Sequence, residues 1–379
     1  LLNQDGIKVV HKLDESTYKP ESLYIYSSAI PIESDRFEDF YDKENVLSRP
    51  EYLKNLSENH KIIGITGTHG KTSTTALLSH IFHFNNVNVS YLYGGITTFN
   101  GIGGHYGDPD QPLILETDEA FNTFEKIKIS DLLVLNVDSD HLDYFKNLDN
   151  YKDAFYKVMK NVTDNLVINN DDLNIKSMKD LKNPVSYGKD ISADFKVQSP
   201  GTFLYENNKY EIKSDIIGDH FKSNMLGAII LALLNGIEIK DSLNAIESFA
   251  GVKRRIELIG ISKGVLIYDD YGHHPTEMEA TITALKQQTE SKLYVVFQPH
   301  RYTRTMEYFN SFKDSLKLAD FAIVTDIYPA GESPIPGISS KNFEEESIKY
   351  LKSIRYVPEY LSKKVQNGDI VLTLGAGDI

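Results

Sequence analysis

The stretch Gly64–Thr75, with the sequence GITGTHGKTSTT, constrains the fold more strongly than any other part of the chain. An isoleucine-rich run precedes it, and an amphipathic stretch with Leu77, Ile81 and Phe84 follows it. This order predicts a strand, a tight glycine-containing loop and a helix. The backbone N–H groups of such a loop and the positive end of the helix bind phosphate. A glycine-rich turn ahead of an ordinary helix is the alternative.

The side chains of this loop predict that the phosphate belongs to a nucleotide. Lys71 can reach the β- and γ-phosphates, and the hydroxyl of Thr72 can hold Mg²⁺. The strict phosphate-loop pattern has a glycine six residues before the lysine, where this chain has Ile65, so we interpret the loop as a shortened GTxGKT variant. We predict ATP and Mg²⁺ as ligands. The loop residues expected at the nucleotide are Gly67, Thr68, His69, Gly70, Lys71, Thr72 and Ser73.

The overall composition limits the class of protein. With 379 residues the chain is too long for one hydrophobic core, and two or three domains are expected. The net charge of −14 argues against a general nucleic-acid binder and against binding to anionic membranes. No apolar run approaches the ~20 residues of a membrane-spanning helix. The chain has no cysteine, which excludes disulfides and thiolate metal sites and leads us to expect a cytoplasmic protein.

Apolar runs alternate with amphipathic stretches along most of the chain, which predicts an α/β fold with parallel, doubly wound sheets. A change in composition near residue 251 separates two such series. We therefore divide the chain into a partial N-terminal domain (1–50), a central nucleotide-binding domain (51–252) and a C-terminal domain (253–379). The predicted elements include strands at Pro112–Thr117, Leu132–Val137 and Ile370–Leu374, a hairpin over Thr202–Ile212 and a helix around Phe343–Leu351.

Acidic residues and a histidine follow two of the predicted strands. Glu116 begins the acidic run ETDE, and His141 follows the run NVDSD. Carboxylate oxygens near a bound triphosphate suit Mg²⁺, and a histidine after a buried strand can bind a metal or orient a substrate. Because the carboxyl ends of parallel strands meet at one edge of a sheet, we expect both residues near Lys71. A solvated acidic loop and a structural histidine are the alternatives.

Two motifs in the last third of the chain suggest a second half of the site. In Ile267–Glu277, IYDDYGHHPTE, an aspartate at a strand-to-helix turn can hold a ribose hydroxyl, and the paired histidines allow metal binding if other ligands converge. In Phe297–Thr305, FQPHRYTRT, the cation-capable groups are His300, Arg301 and Arg304. Arginine forks suit carboxylates and phosphates, so in so acidic a protein we favour an anion site over a solvated basic loop.

The motifs GITGTHGKT, DDYGHHPTE, FQPHRYTRT and IYPAGESPIPG, in this order, resemble those of the Mur ligases of bacterial cell-wall synthesis. The second and third motifs are most similar to the branch that acts on UDP-N-acetylmuramate and L-alanine. The resemblance covers nearly the whole chain. It implies an N-terminal UDP-binding domain, a central ATPase domain and a C-terminal Rossmann-like domain.

The resemblance also implies a reaction in peptidoglycan precursor synthesis. The muramate carboxylate attacks the γ-phosphate of ATP to give an acyl phosphate, which the amine of L-alanine converts into an amide. Nucleic acids and membrane insertion are not expected, and the oligomeric state stays open. By position, the resemblance implies that Lys71 and Thr72 contact phosphate and the first Mg²⁺, and that Glu116 and His141 bind a second Mg²⁺. It implies that Asn224 contacts the adenine, Arg255 the phosphates and Asp270 the ribose. The groups expected to face the acyl phosphate and the amino acid are His274, His300, Arg301 and Arg304.

The sequence departs from the family pattern in three places. The GxGGxGM-like opening of the UDP-binding domain is absent, so we expect the N-terminal domain to be incomplete. The family's HNxxN is HFKSN at 220–224, and the acidic motif EADESDxSF is shortened at 116–121. Two alternatives stay open: another Mur-type ligase for a different amino acid or peptide, and a nucleotide-binding regulatory homologue without turnover.

Overall fold

The computed structural model of the protein describes residues 18–27, 43–97, 101–139 and 142–379. Within these residues the chain forms a two-stranded, a ten-stranded and a six-stranded sheet. The N-terminal domain predicted for residues 1–50 falls mostly outside the described part. No helix in the described part is long and apolar enough to cross a bilayer.

The N-terminal element is a pair of parallel strands, β1 (Tyr24–Tyr26) and β2 (Val46–Ser48), followed directly by helix α1 (Arg49–Asn59). Ser48 caps this helix by accepting a hydrogen bond from the N–H of Glu51, whose carboxylate in turn accepts the N–H of Ser48. This reciprocal capping box fixes where the helix begins.

The ten-stranded sheet holds the phosphate loop. Its central strands are parallel, and antiparallel pairs occur only near its two edges, so the predicted parallel, doubly wound core is confirmed. The hairpin expected over residues 202–212 is also confirmed. In chain order its strands are β3 Ile62–Thr66, β4 Ser90–Leu92, β5 Gly104–His105, β6 Leu113–Glu116, β7 Asp131–Val134, β8 Asn165–Asn169, β9 Val185–Gly188, β10 Phe195–Ser199, β11 Thr202–Tyr205 and β12 Asn208–Glu211.

Helices cover both faces of this sheet, which explains why its central strands are apolar throughout. Leu133 of β7 belongs to one buried cluster, whereas its neighbours Leu132 and Val134 belong to the cluster on the other face. This alternation follows from the two-residue repeat of a strand. The helices of this part are α2 Lys71–Phe84, a 3-10 helix Ala120–Lys126, α3 Leu142–Phe145, α4 Leu148–Lys160, α5 Leu173–Ser177, α6 Asp219–Leu234 and α7 Ile239–Glu247.

The six-stranded sheet forms the C-terminal part of the molecule. Five of its strands are parallel, and the first strand pairs antiparallel at one edge. The sheets do not show where one domain ends and the next begins, so the boundaries at residues 50/51 and 252/253 stay predictions. In chain order the elements are β13 Glu257–Ser262, β14 Val265–Asp270, α8 Pro275–Lys286, β15 Leu293–Phe297, α9 Tyr302–Glu307, α10 Phe309–Leu316, β16 Phe321–Val324, 3-10 helix Ser340–Phe343, β17 Ile348–Tyr350, 3-10 helix Ile354–Tyr356, α11 Val357–Ser362 and β18 Ile370–Leu374.

Two sequence-based expectations about elements need correction. The helix predicted around Phe343–Leu351 is wrong, because the chain leaves a 3-10 helix there and enters strand β17 at the edge of the sheet. Ile348 is fully buried and Lys349 is exposed, which is the alternation of a half-covered strand. The strand predicted to reach Val137 ends at Val134, so the polar loop after β7 begins earlier than expected.

Candidate active site

The phosphate loop lies between β3 and α2, as the sequence predicted. Gly70 has a φ of 86°, and a Cβ atom there would lie 2.4 Å from Nδ2 of Asn224. A side chain at this position would therefore be both strained and blocked. The side-chain amide of Asn136 holds the loop at His69. Its Oδ1 accepts the N–H of His69 at 2.8 Å, and its Nδ2 donates to the carbonyl oxygen of His69 at 2.9 Å.

Lys71 is held by anionic and carbonyl oxygens at the start of α2. Its Nζ lies 2.9 Å from both carboxylate oxygens of Glu119 and 2.7 Å from the carbonyl oxygen of Gly67. Burial by itself would lower the pKa of Lys71, but the charges of Glu119 and Asp118 raise it above its ordinary value. The ammonium is therefore charged and already positioned in the loop where a phosphate would bind.

A buried tyrosine supports this ion pair. The hydroxyl of Tyr151 donates to Oε1 of Glu119 at 3.3 Å and lies 3.0 Å from Oγ1 of Thr68. Thr68 in turn accepts the N–H of Asp138 at 2.8 Å. Tyr151 has no sequence signal of its own and was missed, and Glu119 was noticed only as one acid in an acidic run.

Two of the residues predicted to bind Mg²⁺ meet beside the loop. The hydroxyl of Thr72 donates to Oε1 of Glu116 at 2.8 Å, and the N–H of Gly94 donates to Oε2 of Glu116 at 2.7 Å. Hydroxyl and carboxylate oxygens are the hard ligands that Mg²⁺ prefers, so the donor set fits this ion. His141, the third predicted ligand, lies outside the described residues.

The phosphate loop touches the C-terminal domain through His69. Its Nδ1 lies 3.3 Å from Oε1 of Glu277, and its Nε2 lies 3.3 Å from Oδ2 of Asp138. The hydroxyl of Thr276 donates to the same Oδ2 at 2.7 Å. The ring of His274, a predicted site residue, packs 5.2 Å from the ring of His69. The start of α8 is thereby fixed against the loop.

These groups are charged in the folded protein. Burial by itself would lower the pKa of His69, but hydrogen bonds to Asp138 and Glu277 raise that pKa to about 9. The hydrogen bond with His69 lowers the pKa of Asp138 below its usual range. Burial opposes ionisation of Glu277, yet the His69 hydrogen bond and the charge of His273 bring its pKa well below the usual value. An imidazolium thus lies between two carboxylates.

A cavity of about 440 Å³ opens beside this contact, between the central and C-terminal domains. Burial raises the pKa of Asp270 to about 6, against the charge of Arg255 and two backbone hydrogen bonds, from Ile256 and Gly272. Both Asp270 oxygens therefore already have partners in this structure. The predicted nucleotide contacts that line the cavity are His69, Gly70, Ser73, Asn224, Arg255 and Asp270.

The predicted basic rim lies farther along the C-terminal domain. The ring of His300 is 6.0 Å from that of His273, and burial together with Arg304 and Arg301 lowers the pKa of His300. Nε of Arg301 pairs with Oε1 of Glu332 at 2.6 Å. The sequence did not indicate this carboxylate, which pairs with the guanidinium that we expected to face an anion.

Glu277 was also missed as a functional residue. His274 is the N-cap of α8, and Glu277 three residues later completes a capping box. The usual N-cap of such a box is Ser or Thr, so a histidine there gives no signal in the sequence. What the sequence could not show is that this carboxylate also reaches His69, 208 residues earlier in the chain.

Glu119→Gln should destabilise the protein in the absence of nucleotide, because it leaves the buried Lys71 ammonium without its carboxylate. Breaking a buried ion pair costs roughly 3–5 kcal/mol, measurable by urea denaturation. Combining it with Lys71→Met should cost less than the sum of the two single changes. Glu58→Gln, at an exposed position of α1, should change stability by less than about 0.5 kcal/mol. Strict additivity at Glu119 and Lys71 would contradict the pairing.

The stability of the protein should fall in mildly alkaline solution because of His69. Its folded-state pKa of about 9 is above the ordinary value of 6.5. Its contribution is therefore fully present below pH 6.5 and is lost as the pH rises through about 9, with an upper limit of about 3 kcal/mol. Thermal unfolding against pH should show a smaller alkaline decrease for His69→Gln than for the parent, whereas His60→Gln should follow the parent. Parallel profiles for His69→Gln and the parent would refute the assignment.

Two family models match the larger part of the chain. The Mur ligase middle domain matches residues 65–232, and the Mur ligase glutamate ligase domain matches residues 254–377. The first match includes the phosphate loop, and the second includes the C-terminal sheet with its histidines and arginines.

Curated relatives align with the whole chain. A protein of Dictyoglomus turgidum is 36% identical over 403 residues, covering 100% of this chain and 86% of that protein. One of Caldicellulosiruptor saccharolyticus is 35% identical over 404 residues, covering 100% and 88%. Both relatives are named UDP-N-acetylmuramate–L-alanine ligase.

Solved structures share the fold. The UDP-N-acetylmuramate–alanine ligase of Thermotoga maritima has a TM-score of 0.82 at 23% identity, covering 100% of this chain and 87% of that one. The MurF ligase of the same organism, solved in complex with ADP, has a TM-score of 0.67 at 20% identity, covering 94% and 92%. At such identities these structures show the architecture alone. With the family models and the full-length relatives, they confirm the resemblance seen in the motifs, and the chain belongs to the Mur ligase family of ATP-dependent ligases.

Proposed function

We propose that this Mur ligase joins the carboxylate of UDP-N-acetylmuramate to the amino group of L-alanine, with conversion of ATP into ADP and phosphate. The observation on which this rests most is the cavity between the phosphate loop and the C-terminal domain, lined by residues of both. The names of the full-length relatives support the choice of substrates. The product would be a precursor of peptidoglycan, and we propose a cytoplasmic location, consistent with a cysteine-free sequence.

The nucleotide would bind along the cavity with its phosphates at the loop. Asn224 is buried at the start of α6 and in close contact with Gly70, which suits a contact to the adenine edge. Arg255 stacks on Tyr271, with 5.2 Å between the guanidinium carbon and the ring centre, and lines the same cavity. Asp270 lies at the end of β14, where a carboxylate can accept ribose hydroxyls. The ADP complex of the related MurF ligase supports a nucleotide in this family.

The chemistry requires activation because a carboxylate is a poor electrophile. One muramate carboxylate oxygen attacks the γ-phosphorus of ATP, ADP leaves, and an acyl phosphate results. The neutral amine of L-alanine then attacks the acyl carbon and forms the C–N bond. The C–O bond to the phosphoryl group breaks, its electron pair leaves with inorganic phosphate, and the nitrogen releases one proton to solvent. Lys71 would stabilise the negative charge on the transferred phosphoryl group.

Thr72 and Glu116 would hold Mg²⁺, whose chemical contribution when bound is to neutralise phosphate charge. His141 stays a predicted ligand of a second Mg²⁺. In this structure the Thr72 hydroxyl and the Glu116 carboxylate satisfy each other at 2.8 Å, so metal binding exchanges one hydrogen bond for two metal–oxygen bonds.

The rim of the C-terminal domain would receive the acyl phosphate and the amino acid. An arginine fork matches the carboxylate of L-alanine, and Arg301 and Arg304 are the candidates. Arg301 is paired with Glu332, so anion binding there requires this pair to open or to be shared. His274 and His300 would lie beside the reacting groups.

A three-substrate assay tests this function. Phosphate release should require ATP, UDP-N-acetylmuramate and L-alanine together, and mass spectrometry should detect the amide product. Lys71→Ala should lower turnover by 100-fold or more, because the variant lacks the cation at the transferred phosphoryl group. Preference for another amino acid would indicate a different Mur-type ligase. Nucleotide binding with no product from any substrate pair would indicate a regulatory homologue, and either result would contradict the proposal.

A further inference from the structure

A cluster of His69, Asp138 and His274 lies where the phosphate loop meets α8. One ligand-capable atom of each side chain, a ring nitrogen or a carboxylate oxygen, lies within 4.8 Å of the other two. We propose that these residues form a binding site for a divalent transition-metal ion such as Zn²⁺. The bound ion would bridge the central and C-terminal domains. The site is separate from the magnesium ligands Thr72 and Glu116, and it does not depend on the proposed function.

The two imidazole rings already have the separation that a shared ion requires. With Zn–N bonds of about 2.1 Å and a tetrahedral angle, two coordinating rings have centroids roughly 5 Å apart. The centroids of His69 and His274 are 5.2 Å apart. Two ligand atoms on such an ion lie roughly 3.4 Å apart, and Oδ2 of Asp138 is 3.3 Å from Nε2 of His69. Small side-chain rotations would complete the geometry.

The groups behind the cluster are those that orient metal ligands. A metal-binding histidine almost always donates its other ring N–H to a carboxylate or carbonyl. Nδ1 of His69 faces Glu277 at 3.3 Å, while Nε2 faces Asp138. The carboxylate of Asp138 is itself held by the hydroxyl of Thr276 at 2.7 Å. Glu277 in turn accepts backbone N–H groups at the start of α8. His69 and Asp138 are therefore oriented for an ion. His274 is held differently: its Nδ1 accepts the N–H of Thr276 at 3.4 Å, and an ion bound at the other ring nitrogen requires this long hydrogen bond to open.

The donor set selects the kind of ion. Two imidazole nitrogens and one carboxylate suit Zn²⁺, Co²⁺ or Fe²⁺, whereas Mg²⁺ and Ca²⁺ prefer oxygen throughout. Three protein ligands leave a fourth position for water or for a group in the adjoining cavity. A ligating histidine must lose the proton on its coordinating nitrogen, so binding releases protons.

The three ligands come from two domains, so a bound ion would link these domains. His69 precedes α2 and Asp138 follows β7 in the central domain, whereas His274 caps α8 in the C-terminal domain. An ion held by all three would fasten the two domains in the arrangement seen here. Because the cavity lies between these domains, we expect the bound ion to slow exchange of nucleotide.

Titration of the full chain with Co²⁺, in excess Mg²⁺ and without nucleotide, tests the site by visible absorption. We expect one equivalent of tetrahedral Co²⁺ per chain, displaced by Zn²⁺. His274→Gln should weaken binding by tenfold or more because it removes a ligand. Glu277→Gln should also weaken binding by tenfold or more, because it removes the carboxylate that orients the ring of His69. His60→Gln is the control, because its ring contacts the carbonyl oxygen of Leu56 at the end of α1 instead of the cluster or Glu277.

Absence of the absorbing species at one equivalent, or equal affinity in His274→Gln and His60→Gln, would overturn the proposal. Circular dichroism checks that each variant is folded. Should His274→Gln fail to fold, Asp138→Asn removes the carboxylate ligand instead. Its matched control is Asp149→Asn, at an exposed position of α4. Undiminished Co²⁺ affinity in Asp138→Asn would likewise overturn the site.

Discussion

The contact made by His69 joins the central and C-terminal domains beside the cavity. Its ring links Asp138 of its own domain to Glu277 of the other, at 3.3 Å on each side. Because the ring is positively charged and both carboxylates are ionised, electrostatic attraction adds to each of these long hydrogen bonds. The cavity lies directly beside this contact and is lined from both domains. The loop thus carries the proposed phosphate site on one side and contacts the C-terminal domain on the other.

The same loop also fixes the position of its lysine. Nζ of Lys71 donates to Glu119 and to the carbonyl oxygen of Gly67, and the hydroxyl of the buried Tyr151 donates to Glu119. A hydrogen-bonded path runs from Tyr151 through Thr68 to Asp138 and so to the domain contact. Lys71 and the contact between the domains therefore belong to one network of hydrogen-bonded polar groups, in which each partner raises the cost of losing the next.

The sequence predicted the parts of this molecule that depend on local order. The strand, loop and helix around Lys71 are encoded by adjacent residues and were predicted. The capping box that turns Glu277 back towards the start of α8 is also local, but it was not predicted because its N-cap residue is a histidine. Edge elements were harder, because the short β17 has too few residues to show a clear period. The long-range partners could not be predicted at all. Tyr151 contacts Glu119 only because α4 packs against the phosphate loop. The sequence gives no sign of this contact, because a buried tyrosine is normally part of a core.

We propose that one nucleotide is bound by both domains at once. Calorimetry of Mg·ADP binding tests this with Arg255→Gln, which changes the cavity from the C-terminal side, and with Arg355→Gln at an exposed position of the same domain. We expect Arg255→Gln to raise the dissociation constant by tenfold or more and Arg355→Gln to leave it unchanged. Equal dissociation constants for the parent and Arg255→Gln would mean that the central domain holds the nucleotide alone, which is the opposite of what we propose.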